Sequence, residues 1–170
     1  MFKKKKALIL IGAAFILVML ALNFNMVSPG KRIITLKSYD TPQQAFYMQV
    51  SAAAVPIEKD LDLVPVDATN ALYAAVTEKG DVVAAHMWLK GDRYYYPGSF
   101  LIVSGEALRA GEQAEIREGF LYAGNGKCSG SLSFTLSLSA PEDGRNAQKL
   151  YGAGDLGTVY LIWETGPVES

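Results

Sequence analysis

Apolar and polar positions change pattern along the chain, and each pattern predicts a different element. Lys3 to Lys6 are followed by an apolar run from Ala7 to Leu22, which continues uncharged through Asn23-Phe-Asn-Met-Val27. A helix rises 1.5 Å per residue and bonds its own backbone, so about 20 such residues cross a hydrocarbon layer of about 30 Å. Residues 7–27 are therefore expected to form a transmembrane anchor. Residues 1–6 are expected to be a basic tail that resists translocation and stays cytoplasmic while the rest is exported. The rival reading is a signal peptide, after whose cleavage the remainder is secreted. Ser28 and Gly30 supply small residues for a cut before Lys31, but the apolar run is longer than the usual signal core.

Ser28-Pro29-Gly30 breaks this helix and opens a juxtamembrane linker over residues 28–40, within which Lys31 to Lys37 is a strand candidate. The period then changes to that of a helix. Thr41 suits a cap and Pro42 the first helical position. Phe46, Val50 and Ala53 fall at i, i+4 and i+7 on one stripe, and Pro56 closes the element. From Ile57 onward the signals are those of strands. Candidates run from Asn70 to Glu78, Val82 to Lys90, Arg93 to Val103 (interrupted by Pro97-Gly98) and Glu112 to Ala123. Turns are expected at Lys79-Gly80-Asp81, Gly91-Asp92 and Gly124-Asn125-Gly126. In Ser131 to Ser139, Leu132, Phe134, Leu136 and Leu138 alternate with hydroxyl residues, the pattern of a strand with one buried and one wet face. Gln148 to Tyr151 and Thr158 to Glu164 are expected to close the sheet. The fold expected is mainly β with one helix (α+β). That helix packs on a curved antiparallel sheet or small barrel, and residues 41–170 form one extracytoplasmic domain.

Composition narrows the class. Apolar residues make up 50% and charged residues 19% of the 170, which excludes a disordered chain. The net charge of −1 hides an asymmetry: without Lys3 to Lys6, twelve basic groups face seventeen acidic ones, about −5. Such a domain has no electrostatic footprint for nucleic acid. The single cysteine, Cys128, excludes an intramolecular disulfide and reads as a small, half-buried strand residue.

Candidate chemistry is sparse. Gly152-Ala-Gly154-Asp-Leu-Gly157 matches G-x-G-x-x-G, but a strand-like segment follows it where a dinucleotide site needs a helix, so it reads as a hairpin loop. Glu58, Asp60 and Asp62 share one side of an ideal strand, with Leu61 and Leu63 on the other. This reads as a solvated edge, since it lacks the pattern of a calcium loop. No cofactor or metal is implied. His86 is the only histidine and lies with Ala84 and Trp88 on one strand face, opposite Val83, Ala85, Met87 and Leu89. Trp88, Tyr94, Tyr95 and Tyr96 form an aromatic cluster whose rings can stack on a sugar or peptide, and alternation sets Tyr95 opposite to Tyr94 and Tyr96. Cross-strand packing competes with that reading. Together with His86, these four are the candidate ligand-binding residues; none is assigned a catalytic role.

Three stretches also carry a family likeness. Thr41-Pro-Gln-Gln-Ala45, then Leu72-Tyr-Ala-Ala-Val-Thr-Glu-Lys-Gly80-Asp-Val-Val-Ala84, then Lys90-Gly-Asp-Arg-Tyr-Tyr-Tyr96-Pro-Gly-Ser99 follow one another in this order. The order resembles that of small uncharacterised, N-terminally anchored exported proteins of Gram-positive, spore-forming bacteria, over about residues 40–100. The resemblance implies an anchored, exported domain and no catalytic residue. The second half of the chain departs from it.

These readings converge on a membrane-tethered extracytoplasmic module of the cell envelope. It meets the lipid bilayer through residues 7–27, and binds or senses a cell-wall glycan, a peptide or an envelope protein. The alternatives are an exported hydrolase with His86 as general base, and a passive envelope assembly protein.

Overall fold

Thr41 and Pro42 start the first helix as their chemistry requires. In the computed structural model, which describes residues 37–50, 55–111, 117–142 and 144–167, the Thr41 Oγ1 accepts the Gln44 N–H at 3.1 Å. The Thr41 carbonyl accepts the Ala45 N–H, also at 3.1 Å. Pro42 has no N–H to leave unpaired there. This helix, α1 (Pro42–Val50), follows a short strand β1 (Ser38–Tyr39) and buries Ala45 and Phe46. The side chains of Val50 and Ala53, the rest of the expected stripe, lie outside the described residues.

Strands β2 (Ile57–Pro65), β3 (Asn70–Thr77), β4 (Val82–Lys90), β5 (Arg93–Tyr95) and β6 (Phe100–Val103) form the larger sheet with β1. The order is β1-β5-β4-β3-β2, and β6 also pairs with β4. Strands β5 and β6 are two parts of one interrupted strand. Trp88 to Lys90 pair with β5, Val82 to Ala85 with β6. Between them, Tyr96-Pro97-Gly98-Ser99 stands against only His86 and Met87. Proline cannot donate to the ladder, and Gly98 adopts a φ of 110°. Pairing resumes where the His86 N–H donates to the Ser99 carbonyl at 2.9 Å.

Ser104 then caps a short helix, α2 (Gly105–Arg109), by accepting the Ala107 N–H at 3.1 Å. The smaller sheet follows: β7 (Arg117–Tyr122), β8 (Cys128–Ser137), β9 (Asn146–Tyr151) and β10 (Thr158–Gly166). All its pairings are antiparallel, in the order β7-β8-β10-β9.

The layers explain the sequence patterns. One face of the larger sheet packs Tyr73, Ala75, Val83, Ala85 and Met87 with Ala45 and Phe46 of α1. The other packs Leu72, Ala74, Val76, Val82 and Ala84 against Leu132, Phe134, Leu136, Val159 and Leu161 of the smaller sheet. Strand β3 is therefore buried at every position, and β4 as far as Trp88. A strand covered on both faces reads as an apolar run; β8, covered on one face, alternates strictly from Gly130 to Ser137.

The mainly antiparallel β expectation with a helix holds, but the single curved sheet or barrel is two stacked sheets. Alternation marks strands without saying which of them pair. Ser38 and Tyr39, expected in the linker, pair with Tyr95 and Tyr94 and belong to the fold. In β2, register shifts at Ile57/Lys59 and Asp60/Asp62 interrupt the alternation. Leu61 consequently packs on the inter-sheet core and Leu63 on the helix side, not on one common face. The loop of Gly152 to Gly157 holds one 3-10 turn (Gly154–Leu156) and leads into β10, a strand, with φ of 76°, 54° and 69° at its three glycines. Among the described residues no helix is long and apolar enough to cross a membrane. Residues 7–27, most of the strand expected at Lys31 to Lys37, and Glu112 to Ile116 of another expected strand lie outside them.

Candidate functional site

The face of β4 that carries His86 and Trp88 points at the smaller sheet, and side chains there join the two sheets through a polar seam. The seam begins at the turn before β3. Asp67 Oδ1 accepts the N–H groups of Thr69 at 2.7 Å and Asn70 at 2.8 Å, and the Asn70 Nδ2 at 2.9 Å. Burial acts to raise the Asp67 pKa, but these hydrogen bonds, with that of the Thr69 hydroxyl, outweigh it and hold the carboxyl below its ordinary value. Asn70 then meets β7 as a neighbouring strand would. Its Nδ2 donates to the Tyr122 carbonyl at 2.9 Å, and its Oδ1 accepts the Tyr122 N–H at 3.0 Å. The Thr69 hydroxyl donates to the same carbonyl at 2.7 Å, and Trp88 Nε1 donates to the Ala123 carbonyl at 3.2 Å.

His86 sits beneath this stitching with no exposed surface. Its Nε2 lies 3.0 Å from Asn70 Oδ1. The Asn70 Nδ2 is directed at a carboxylate and a carbonyl, so Oδ1 is the acceptor and the imidazole carries its proton on Nε2. The Nδ1 lone pair is buried with no hydrogen-bond partner among the described residues. The ring stacks on Tyr122, with centroids 6.2 Å apart and planes within 7°. Burial pulls the pKa down to about 4, with the Asp67 carboxylate pushing weakly the other way. His86 is therefore neutral at pH 7. Ser99 closes the seam: its hydroxyl donates to the Glu118 carbonyl at 3.2 Å. A Cβ on Gly119 would stand 2.6 Å from the Ser99 Oγ, so any larger residue here would force the Ser99 side chain to shift.

The five candidate residues do not converge. His86, Trp88 and Tyr95 come together on the seam, where the Trp88 and Tyr95 rings lie 4.6 Å apart. Tyr94 and Tyr96 take the opposite face, as alternation requires. Tyr96 is buried against Phe46 and Phe100, each with its ring centroid 6.4 Å away. The cluster is thus cross-strand packing on two faces, with Trp88 only 3% exposed. The acidic row also disperses. Asp60 accepts the Tyr73 hydroxyl at 2.6 Å and Asp62 the Leu63 N–H at 2.8 Å. Burial, then Asp60, drive the Tyr73 pKa far upward. Cys128 is half-buried at the start of β8, its Sγ 3.6 Å from the Gly130 carbonyl.

The open surface with chemistry is the outer face of the smaller sheet. Ser131, Ser133, Thr135 and Ser137 run down β8 and meet Phe120 and Glu118 on one side and Glu164, Ile162 and Tyr160 on the other. Beyond them β9 presents Ala147, Lys149 and Tyr151. The Arg145 Nε reaches Glu164 Oε1 at 3.5 Å, beside a cavity of about 30 Å³ lined by Ser133, Thr135, Ile162 and Trp163, room for one water. Phe120 is 43% and Tyr151 67% exposed, and the Lys149 ammonium lies 5.1 Å from the Tyr151 ring centre. The serine alternation was legible as a wet face. The two exposed rings were not, because only strand register places Phe120 beside the hydroxyl row and Tyr151 on the same face of the sheet.

No protein family, curated protein or solved structure matches this chain.

Proposed function

We propose that the chain is a membrane-tethered extracytoplasmic domain of the cell envelope that binds a cell-wall glycan on the outer face of its smaller sheet. One observation carries the binding: four half-buried hydroxyl side chains run in a row down β8, with the exposed ring of Phe120 beside Ser131 and that of Tyr151 on the same face of the sheet, on β9. Hydroxyls exchange hydrogen bonds with sugar hydroxyls, and aromatic rings stack on the apolar faces of sugar rings. The tether rests on the lysine cluster and the uncharged run of residues 7–27. The likeness of residues 40–100 to anchored exported proteins supports the same placement. A hydrolase with His86 as base has no support in the geometry, since a general base must reach its substrate and this ring has no exposed surface.

Thermal unfolding of the full chain in detergent micelles, with and without soluble wall-glycan fragments, tests the binding. A ligand at about 100 times its Kd stabilises the native state by about 2.7 kcal/mol, a shift of several degrees. Phe120→Ser and Tyr151→Ser remove exposed rings and should erase the shift while leaving the ligand-free Tm close to that of the parent. A parent protein that neither shifts nor is retained on insoluble wall material refutes it. For the tether, protease added to intact spheroplasts should digest the C-terminal domain, and carbonate should leave the full-length chain in the membrane.

A further inference from the structure

Helix α1 turns an uncharged stripe outward. Ala45 and Phe46 are buried against the larger sheet, which leaves Gln44, Tyr47 and Met48, at i, i+3 and i+4, on the outer side. Met48 is 57% and Tyr47 39% exposed. The outward stripe of a surface helix is ordinarily charged or polar. Here the sequence carries no charged residue from Thr41 to Ile57, so α1 has none at either end. On the same side of the fold, Asp40 is paired with Arg93, and Asp60 accepts the Tyr73 hydroxyl at 2.6 Å.

The chain's entry into the fold brings a lipid surface within reach of that stripe. Strand β1 fixes the chain at Ser38 and Tyr39 by pairing with β5, and α1 follows at Pro42. Only residues 28–36 separate Lys37 from the expected anchor. Fully extended, they reach about 30 Å. Such a tether holds α1 close to the bilayer at a high effective concentration, where a few apolar side chains suffice for contact. Charge favours the same orientation. Lys31, Arg32 and Lys37 precede the fold, whereas from Ser38 onward nine basic groups face seventeen acidic ones, about −8. An anionic lipid surface attracts the first group and repels the second.

We infer, on the basis of the tethered reading above, that α1 lies on the bilayer surface with Tyr47 and Met48 entering the boundary between headgroups and acyl chains. Tyrosine suits that boundary because its ring is apolar and its hydroxyl polar. The layers then orient the whole domain. Both sheets lie between α1 and the outer face of the smaller sheet. With sheets about 10 Å apart and a helix about 10 Å across, Phe120 and Tyr151 stand roughly 20 Å from the lipid and face the wall.

Single cysteines in a Cys128→Ser background report this orientation in the full chain, reconstituted in vesicles of phosphatidylethanolamine and phosphatidylglycerol. Each thiol carries an environment-sensitive fluorophore. At Met48→Cys the emission should shift to the blue and be quenched by lipids spin-labelled near the headgroup. At Tyr151→Cys it should do neither, and dissolved acrylamide should quench it instead. Gln44→Cys, exposed on the same stripe one turn earlier, should behave as Met48→Cys does. A blue shift at Met48 without lipid quenching would mean that protein covers the helix, whether a second copy, a partner or residues 7–27, and would overturn the inference. Equal lipid quenching at Met48 and Tyr151, or none at either α1 site, would overturn it as well. Carbonate washing of the same vesicles separates the two readings. A chain that stays embedded while the α1 labels escape lipid quenching leaves the tether standing and removes only the orientation; a chain that is stripped refutes both.

Discussion

Acidification probes His86 directly. In the unfolded chain its imidazole takes up a proton near pH 6.5, while burial holds the folded-state value at about 4. Between those two values the unfolded state binds a proton that the native state refuses. The stability contributed by keeping the ring neutral is therefore complete above about pH 6.5, declines as pH falls, and is lost by about pH 4. At 1.36 kcal/mol per unit, the separation corresponds to about 3 kcal/mol, a large share of the 5–15 kcal/mol typical of a domain. Urea unfolding of the parent and of His86→Gln at pH 7.5, 6, 5 and 4 measures it. Glutamine keeps an N–H donor for Asn70 Oδ1 and cannot titrate. The variant is expected to be weaker at pH 7.5 because its packing against Tyr122 is lost, yet to lack most of the parent's decline between pH 6.5 and 4. Identical slopes in the two proteins, or a His86 pKa near 6.5 by NMR, would refute the reasoning. Asp67 does not confuse the result. Its carboxyl is held below its ordinary 3.8, so its contribution is lost only as pH falls below the His86 window.

Three further substitutions address the packing around the seam and the helix start. Asn70→Ala strands the Tyr122 N–H and the His86 Nε2–H, while the Thr69 hydroxyl still serves the Tyr122 carbonyl, and at about 1–3 kcal/mol per buried group left unpaired it should cost several kcal/mol by chemical denaturation. Gly119→Ala forces a Cβ to within 2.6 Å of the Ser99 Oγ and should cost about 1–3 kcal/mol; Ser99→Gly in the same chain should restore part of the loss in a double-mutant cycle. Thr41→Ala deletes the cap on α1 and should lower stability by about 0.5–2 kcal/mol, with hydrogen exchange accelerated most at the Gln44 amide.

Much of the local structure was legible because its causes lie within a few residues. Val82 to Lys90 is a strand over its whole expected length, and the hairpin turns at Gly80, Gly91 and Gly126 use glycines at φ of 78°, 63° and 77°. The candidate site was legible only in part. Alternation correctly set Tyr95 apart from Tyr94 and Tyr96, but nothing near Trp88 in sequence announces that Ala123 will take its N–H. Asn70 and Gly119 gave no signal, since an asparagine before an apolar run and a glycine in a strand are ordinary until each is seen facing its partner.

The sequence by itself determined where strands and the first helix lie: backbone preference, capping and solvent exposure of one face act over short stretches, as Thr41, Pro42 and the serines of β8 show. Tertiary structure alone decided that the strands divide into two sheets, that β2 turns Leu61 and Leu63 to opposite sides, and that His86 is sealed beneath Asn70 and Tyr122. Those outcomes depend on contacts between residues distant in the chain, such as Asn70 and Tyr122. Such contacts follow from how apolar faces are shared among layers, which no short stretch of chain encodes.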